Sequence, residues 1–146
     1  MRVRAAGLVI ESNKVLVLRY NYAGKRIHAL PGGNIEQGEF APQTLVREFR
    51  EELGLEISVG PLRFVGEMQA QKQIGQTLHL IFEVAILNGE PRLNPQETSA
   101  ESVLWLDGDA LSEAALYPDL NLSGWKGCEA CDGAQYVGDV MHRVWA

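Results

Sequence analysis

The stretch Ala41–Leu53, APQTLVREFREEL, constrains the fold most, because its apolar residues recur at helical spacing. Pro42 stands near its start and Gly54 just past its end, where helix boundaries favour them. With about 100° per residue and Leu45 at zero, Leu45, Val46, Phe49 and Leu53 fall within an arc of roughly 100° that has to face a core. Glu52, Glu48 and Glu51 then fall near ~340°, ~300° and ~240°, so three carboxylates share the adjoining strip. Such neighbours repel one another unless cations compensate. Two readings follow: an oxygen-rich site for a hard ion such as Mg2+, or a solvated acidic face softened by Arg47 and Arg50.

Strands surround this helix. Val3–Ile10 and Lys14–Tyr20 are apolar and rich in β-branched residues on either side of Glu11-Ser12-Asn13, which predicts a hairpin. A short strand at Arg26–Leu30 runs into Pro31-Gly32-Gly33, a glycine loop open to close approach by a ligand. Glu56–Ala70 and Thr77–Leu87 predict longer strands, the first interrupted or at an edge because of Pro61, the second central because it is almost continuously apolar. Ser102–Leu106 predicts a strand and Asp107–Leu116 a capped helix. Tyr117–Gly138 reads as ordered but irregular, with a last short strand or helix near Val140–Trp145. Strands and helices in this order predict an α+β domain, a mixed sheet flanked by helices.

The 146 residues suit one domain, 1–146, with enough apolar sequence to bury a core unaided. No run is long and apolar enough for a membrane helix, and the interrupted N-terminal stretch lacks a signal-peptide core, so a cytoplasmic protein with no membrane partner is expected. A formal charge of −6 argues against broad nucleic-acid binding but not against a phosphorylated small molecule bridged to carboxylates by cations. Cys128 and Cys131 are the two cysteines, at a spacing that suits half a zinc site or a redox couple, with reduced thiols as the plain reading. His28, His79 and His142 are scattered and would complete a zinc site only through folding.

The segment Gly33–Leu55, GNIEQGEFAPQTLVREFREELGL, resembles the signature of the Nudix hydrolase family, G-x5-E-x7-R-E-U-x-E-E-x-G-U with U bulky and apolar. Gly33, Glu39, Arg47, Glu48, Glu51, Glu52, Gly54 and Leu55 match at the right spacing, and Phe49 fills the first U position with an aromatic ring. The order of elements over about residues 3 to 116 is similar to the family's α/β/α sandwich. This resemblance implies a pyrophosphohydrolase that uses Mg2+, with Mn2+ as a substitute, on a small nucleotide. It implies Glu48, Glu51 and Glu52 as metal ligands with the Gly32 carbonyl, and Gly33, Glu39 and Arg47 as residues that orient them. Glu51, Glu52 or a later-loop carboxylate would accept the proton of the attacking water.

For that later loop the candidates are Glu97 and Glu101, with Glu101 favoured; a solvated carboxylate is the plain alternative for each. Arg19 resembles a family position that meets phosphate, against a surface charge as the alternative. Tyr20 and Tyr22 suit stacking on a base or simple packing, and Trp105 suits the core. Positions beyond the signature that mark particular substrates in similar proteins are Ala70, Gln71, Lys72 and Gln73 here, which carry none of those markers. A homodimer is expected by analogy. The rival classes are a non-hydrolytic nucleotide sensor, which would usually lack some of the signature carboxylates, and an isoprenoid-diphosphate isomerase, for which the chain is short.

Overall fold

The computed structural model describes residues 1–71, 74–122 and 133–141. In chain order the elements are β1 (Arg2–Leu8), β2 (Ile10–Glu11), β3 (Lys14–Tyr22), β4 (Lys25–Ala29), β5 (Gly32–Asn34), α1 (Ala41–Leu53), β6 (Glu56–Met68), β7 (Thr77–Asn88), β8 (Ser102–Leu106), α2 (Gly108–Glu113), β9 (Leu116–Tyr117) and β10 (Gln135–Asp139). The fold is α+β with mixed sheets. One sheet has the order β10-β6-β7-β1-β5, with β1 parallel to β7 and β10 parallel to β6; the other runs β2-β3-β4-β9, and β8 also pairs with β3.

The alternation of side chains divides the interior in two. Ala5, Leu16 and Leu18 point to the side where Leu45, Phe49 and Leu53 of α1 pack, so the buried helix face is the apolar arc expected from its periodicity. Ala6, Leu8, Val15 and Val17 point the other way, where Leu111 of α2 joins Leu120, Leu122 and Val140. The β layers therefore lie between a long helix and a short one. Each end of α1 has a capping contact. The Phe40 N–H donates to the Gln43 side chain at 2.8 Å, while Gly54 takes the left-handed conformation (φ 66°) that lets its N–H and that of Leu55 reach the carbonyls of Arg50 and Phe49.

Several sequence expectations change. β1 and β3 do not form a hairpin: both edges of β1 are taken by β7 and β5, so only Ile10–Glu11 turns back onto β3. The glycine segment is not a free loop, since Gly32–Asn34 pairs antiparallel with Arg4–Ala6. The interruption expected at Pro61 is present as a register shift between Val59 and Leu62, after which pairing with β7 resumes. The second helix has six residues, capped by Asp107, whose carboxylate accepts the Ala110 N–H at 2.9 Å, and the chain then enters β9. The last strand among the described residues is Gln135–Asp139; the element expected at Val140–Trp145 lies mostly outside them, as do Cys128, Cys131, His142, Lys72 and Gln73. No helix among the described residues is long and apolar enough to cross a membrane.

Candidate active site

A cavity of about 740 Å3 opens between the sheets. Arg2 and Arg4 of β1 and Gly32, Gly33 and Asn34 of β5 line one side; Tyr20, Tyr22, Lys25, Ile27 and Ala29 line the other, with Glu52 of α1 beside the loop residues Glu97, Thr98 and Ser99. That loop is tied to the helix. The Arg92 and Asn94 N–H groups donate to the carbonyls of Leu53 and Glu52 at 3.1 and 2.9 Å, satisfying orphan acceptors at the helix end. The Thr98 hydroxyl in turn lies 3.2 Å from that of Tyr20.

On the helix, Arg47 organises the carboxylates. Its Nε and Nη2 donate to Glu39 at 2.7 and 3.0 Å, and its Nη1 donates to Glu48 at 2.8 Å and to Glu51 at 3.4 Å. The paired contact to Glu39 uses the planar fork of the guanidinium. Glu39 also accepts from the buried Thr44 hydroxyl at 3.0 Å and from the Glu36 N–H at 3.1 Å, and the Arg47 bond first of all holds its carboxyl down at about 2. Gly33 completes the arrangement, because a side chain there would collide with the Glu48 carboxylate.

Glu48 and Glu52 face a different situation. Burial raises the Glu48 carboxyl above the ordinary range despite the pull of Arg47. Burial, and next the charge of Glu48, push Glu52 up to about 8, and the two carboxyls lie within hydrogen-bonding reach of each other. The pair can share a proton. It equally suits a hard cation, which would lift the repulsion while accepting oxygen ligands. Among the described residues no three His, Cys, Asp or Glu side chains close on one point, since Glu51 turns toward Arg47. Two carboxylates are nevertheless enough for an ion such as Mg2+ that retains waters and takes phosphate oxygens, so the donor set fits.

The other sequence candidates separate by strand face. Tyr20 and Tyr22 share the face of Leu18, with rings stacked at 5.9 Å and 19°, and both line the cavity. Arg19 points to the opposite face, with Val15 and Val17, and does not line the cavity. Its Nη2 donates to the Ser102 hydroxyl at 3.0 Å, and its Nε lies 3.7 Å from Glu101. The Glu101 N–H donates to the Arg19 carbonyl at 2.7 Å, which extends the β3–β8 pairing and carries this side chain away from the cavity as well. Glu97, the less favoured sequence candidate, is the loop carboxylate at the cavity. Trp105 packs half-buried against the α1 core, and His79 is buried with its ring edge-on to Tyr117.

Sequence reasoning missed Arg2, Arg4, Lys25, Thr98 and Tyr117 as cavity residues. For Arg4 a signal was present: a cation inside the apolar run of β1 needs a reason to be there.

This geometry agrees with the comparisons to known proteins. The NUDIX domain family model matches residues 1–122, and the chain belongs to the Nudix family. An ADP-ribose pyrophosphatase of Methanocaldococcus jannaschii is 32% identical over 100 residues, 68% of this chain and 59% of the relative. The NAD-capped RNA hydrolase NudC of Pseudomonas aeruginosa is 32% identical over 104 residues, 71% of this chain and 35% of the relative. The chain thus spans less than two thirds of the length of either. Among solved structures, an ADP-ribose pyrophosphatase from Streptococcus suis superposes with a TM-score of 0.68 at 15% identity, covering 92% of this chain and 98% of that one, which establishes the fold.

Proposed function

We propose that this chain hydrolyses the diphosphate bond of a small nucleotide derivative of the ADP-ribose type, with Mg2+ or Mn2+ as cofactor. The observation that carries this reading is the Glu48–Glu52 pair placed where the Glu52 end of α1 meets a cavity that also presents Arg2, Arg4 and Lys25. A diphosphate lying there would meet both the cations of the strands and an ion held by the helix. Glu48 and Glu52 would hold that ion with the Gly32 carbonyl, and Glu51 would contribute after leaving Arg47. When bound, the ion neutralises the diphosphate and activates a water. Arg47 and Glu39 fix the Glu48 side chain, so the site needs little reorganisation on binding. A carboxylate has to accept the proton of the attacking water, and Glu52 and Glu97 are the two that line the cavity. Tyr22, about half exposed and stacked on Tyr20, offers a face to the base.

The ADP-ribose assignment draws on the archaeal relative's name, and the named activity of the pseudomonad relative adds NAD and NAD-capped RNA as competitors. The test is diphosphate cleavage with Mg2+, followed by chromatography: AMP from ADP-ribose, NAD and ATP, UMP from a UDP-sugar, and nicotinamide mononucleotide from an NAD-capped oligonucleotide. ADP-ribose is expected to give the highest kcat/KM. No product from any of them would sink the reading. A single domain, a cytoplasmic setting and a homodimer accompany it; sedimentation at micromolar concentration checks the last.

A further inference from the structure

Arg4 lies on β1 between Val3 and Ala5, and its guanidinium is held at two places. Nη2 donates to the Leu30 carbonyl at 2.8 Å, and the group sits 5.4 Å from the centroid of the Tyr117 ring. The ring of Tyr117 is itself held by the edge-on contact with His79 at 5.2 Å. Nη1, by contrast, is buried and has no hydrogen-bond partner among the described residues, and no carboxylate there lies within ion-pair distance of Arg4. A charged donor taken out of water without an acceptor is costly, so this arrangement is incomplete as it stands. Arg4 lines the cavity while its Nη2 stays anchored on the Leu30 carbonyl.

The acceptor that fits is anionic. Arg2 and Lys25 line the same cavity, so an added negative oxygen is drawn by three cations, and a planar guanidinium anchored on one side is suited to phosphate oxygen. We propose that Arg4 is a substrate-binding residue whose Nη1 takes a phosphate oxygen of the bound nucleotide. The assignment rests on the reading of this cavity as the nucleotide site, and it adds to the helix carboxylates a direct phosphate contact from the opposite wall.

Calorimetric binding of two probes in Mg2+ tests it: ADP, and methylenediphosphonate, a diphosphate analogue with neither sugar nor base. Arg4→Gln should weaken both by similar factors, on the order of tenfold to a hundredfold for the loss of a charged hydrogen bond. Arg4→Lys, which retains the charge, should recover part of the loss, and Glu101→Gln should change neither. A thermal melt reports whether each variant is folded. Weakening confined to ADP would overturn the proposal, since Arg4 would then only shape the Tyr117 wall or meet the base. Unchanged binding of both probes would overturn it as well. If wild-type protein cleaves ADP-ribose while Arg4→Gln binds both probes normally, only this proposal fails. If wild-type binds both probes in an Arg4-dependent way yet cleaves no nucleotide, the functional reading fails and this one stands.

Discussion

The two halves of the acidic strip on α1 are built to opposite specifications. At the Arg47 half, one guanidinium meets Glu39, Glu48 and Glu51, with Glu36 at 3.8 Å, and Thr44 adds a hydroxyl to Glu39, so each of these carboxylates has a cationic partner within the protein. One turn on, Glu52 faces a cavity with Glu48 as its near neighbour, and its carboxyl is pushed up to about 8 instead of held down at about 2 like Glu39. The difference separates carboxylates that have a guanidinium partner from one that faces the cavity beside another carboxylate. A carboxylate bonded to a guanidinium is held in place, whereas one beside another carboxylate carries a repulsion that a bound cation would relieve.

The sharpest way to break the contrast is at Glu52. Glu52→Gln should reduce kcat with Mg2+ by a hundredfold or more, on the order of several kcal/mol of transition-state stabilisation, while leaving the fold intact. Steady-state kinetics beside a melting curve measure both, and retained turnover would remove Glu52 from the metal site. Arg47→Gln attacks the other half and should do the reverse in emphasis. Losing the fork on Glu39 and the bond to Glu48 should cost about 1–3 kcal/mol of stability in denaturant, and turnover should fall by roughly tenfold because Glu48 loses its support. Arg47→Lys should restore little, since an ammonium cannot reproduce the paired bonds.

The contrast also predicts opposite pH limbs for the metal-free protein. Between an ordinary Glu value of ~4.3 and about 8, the folded chain holds a proton on Glu52 that the unfolded chain has lost, so stability falls as pH rises through this window. The total is on the order of a few kcal/mol at most. Glu39 works the other way: its paired carboxylate supports the fold above ~4.3, and that support is lost as pH falls toward about 2. Urea titrations should show Glu52→Gln flattening the alkaline limb and leaving the acid one. Saturating Mg2+ should flatten it too. An alkaline limb unchanged in Glu52→Gln would assign the slope to another group.

The helix was legible because its information is local: periodicity, Pro42, Gly54 and the spacing of its glutamates are all contained in one stretch of chain. Central placement of β7 was legible for the same reason, from its apolar run. Partnering was not. Alternation along Val3–Ile10 says which face is buried but not that β7 and β5 occupy both edges, and Gly32–Asn34 is too short and too poor in side chains to declare itself a strand. The choice between Glu97 and Glu101 was equally hidden. Where each lies relative to the cavity depends on Arg92 and Asn94 docking on the end of α1 and on Glu101 continuing the β8 pairing, two contacts between segments far apart in sequence.

The smallest expected effect comes from the pair that sequence reasoning placed in the site. Arg19 and Glu101 are partly exposed, 3.7 Å apart at closest, and lie on the strand face away from Tyr20 and Tyr22. A pair of that kind is worth about 1 kcal/mol or less, because the charges remain largely solvated and screened by salt. Arg19→Gln, Glu101→Gln and the double variant should therefore melt close to wild type, and kcat/KM should stay within about threefold in each. Glu97→Gln, made beside them, should lower kcat more than any of the three, since its carboxylate belongs to the cavity wall. Should Glu101→Gln prove the more damaging, the β3–β8 edge would have to rearrange when substrate binds, and the division of faces drawn from this structure would hold only for the free protein.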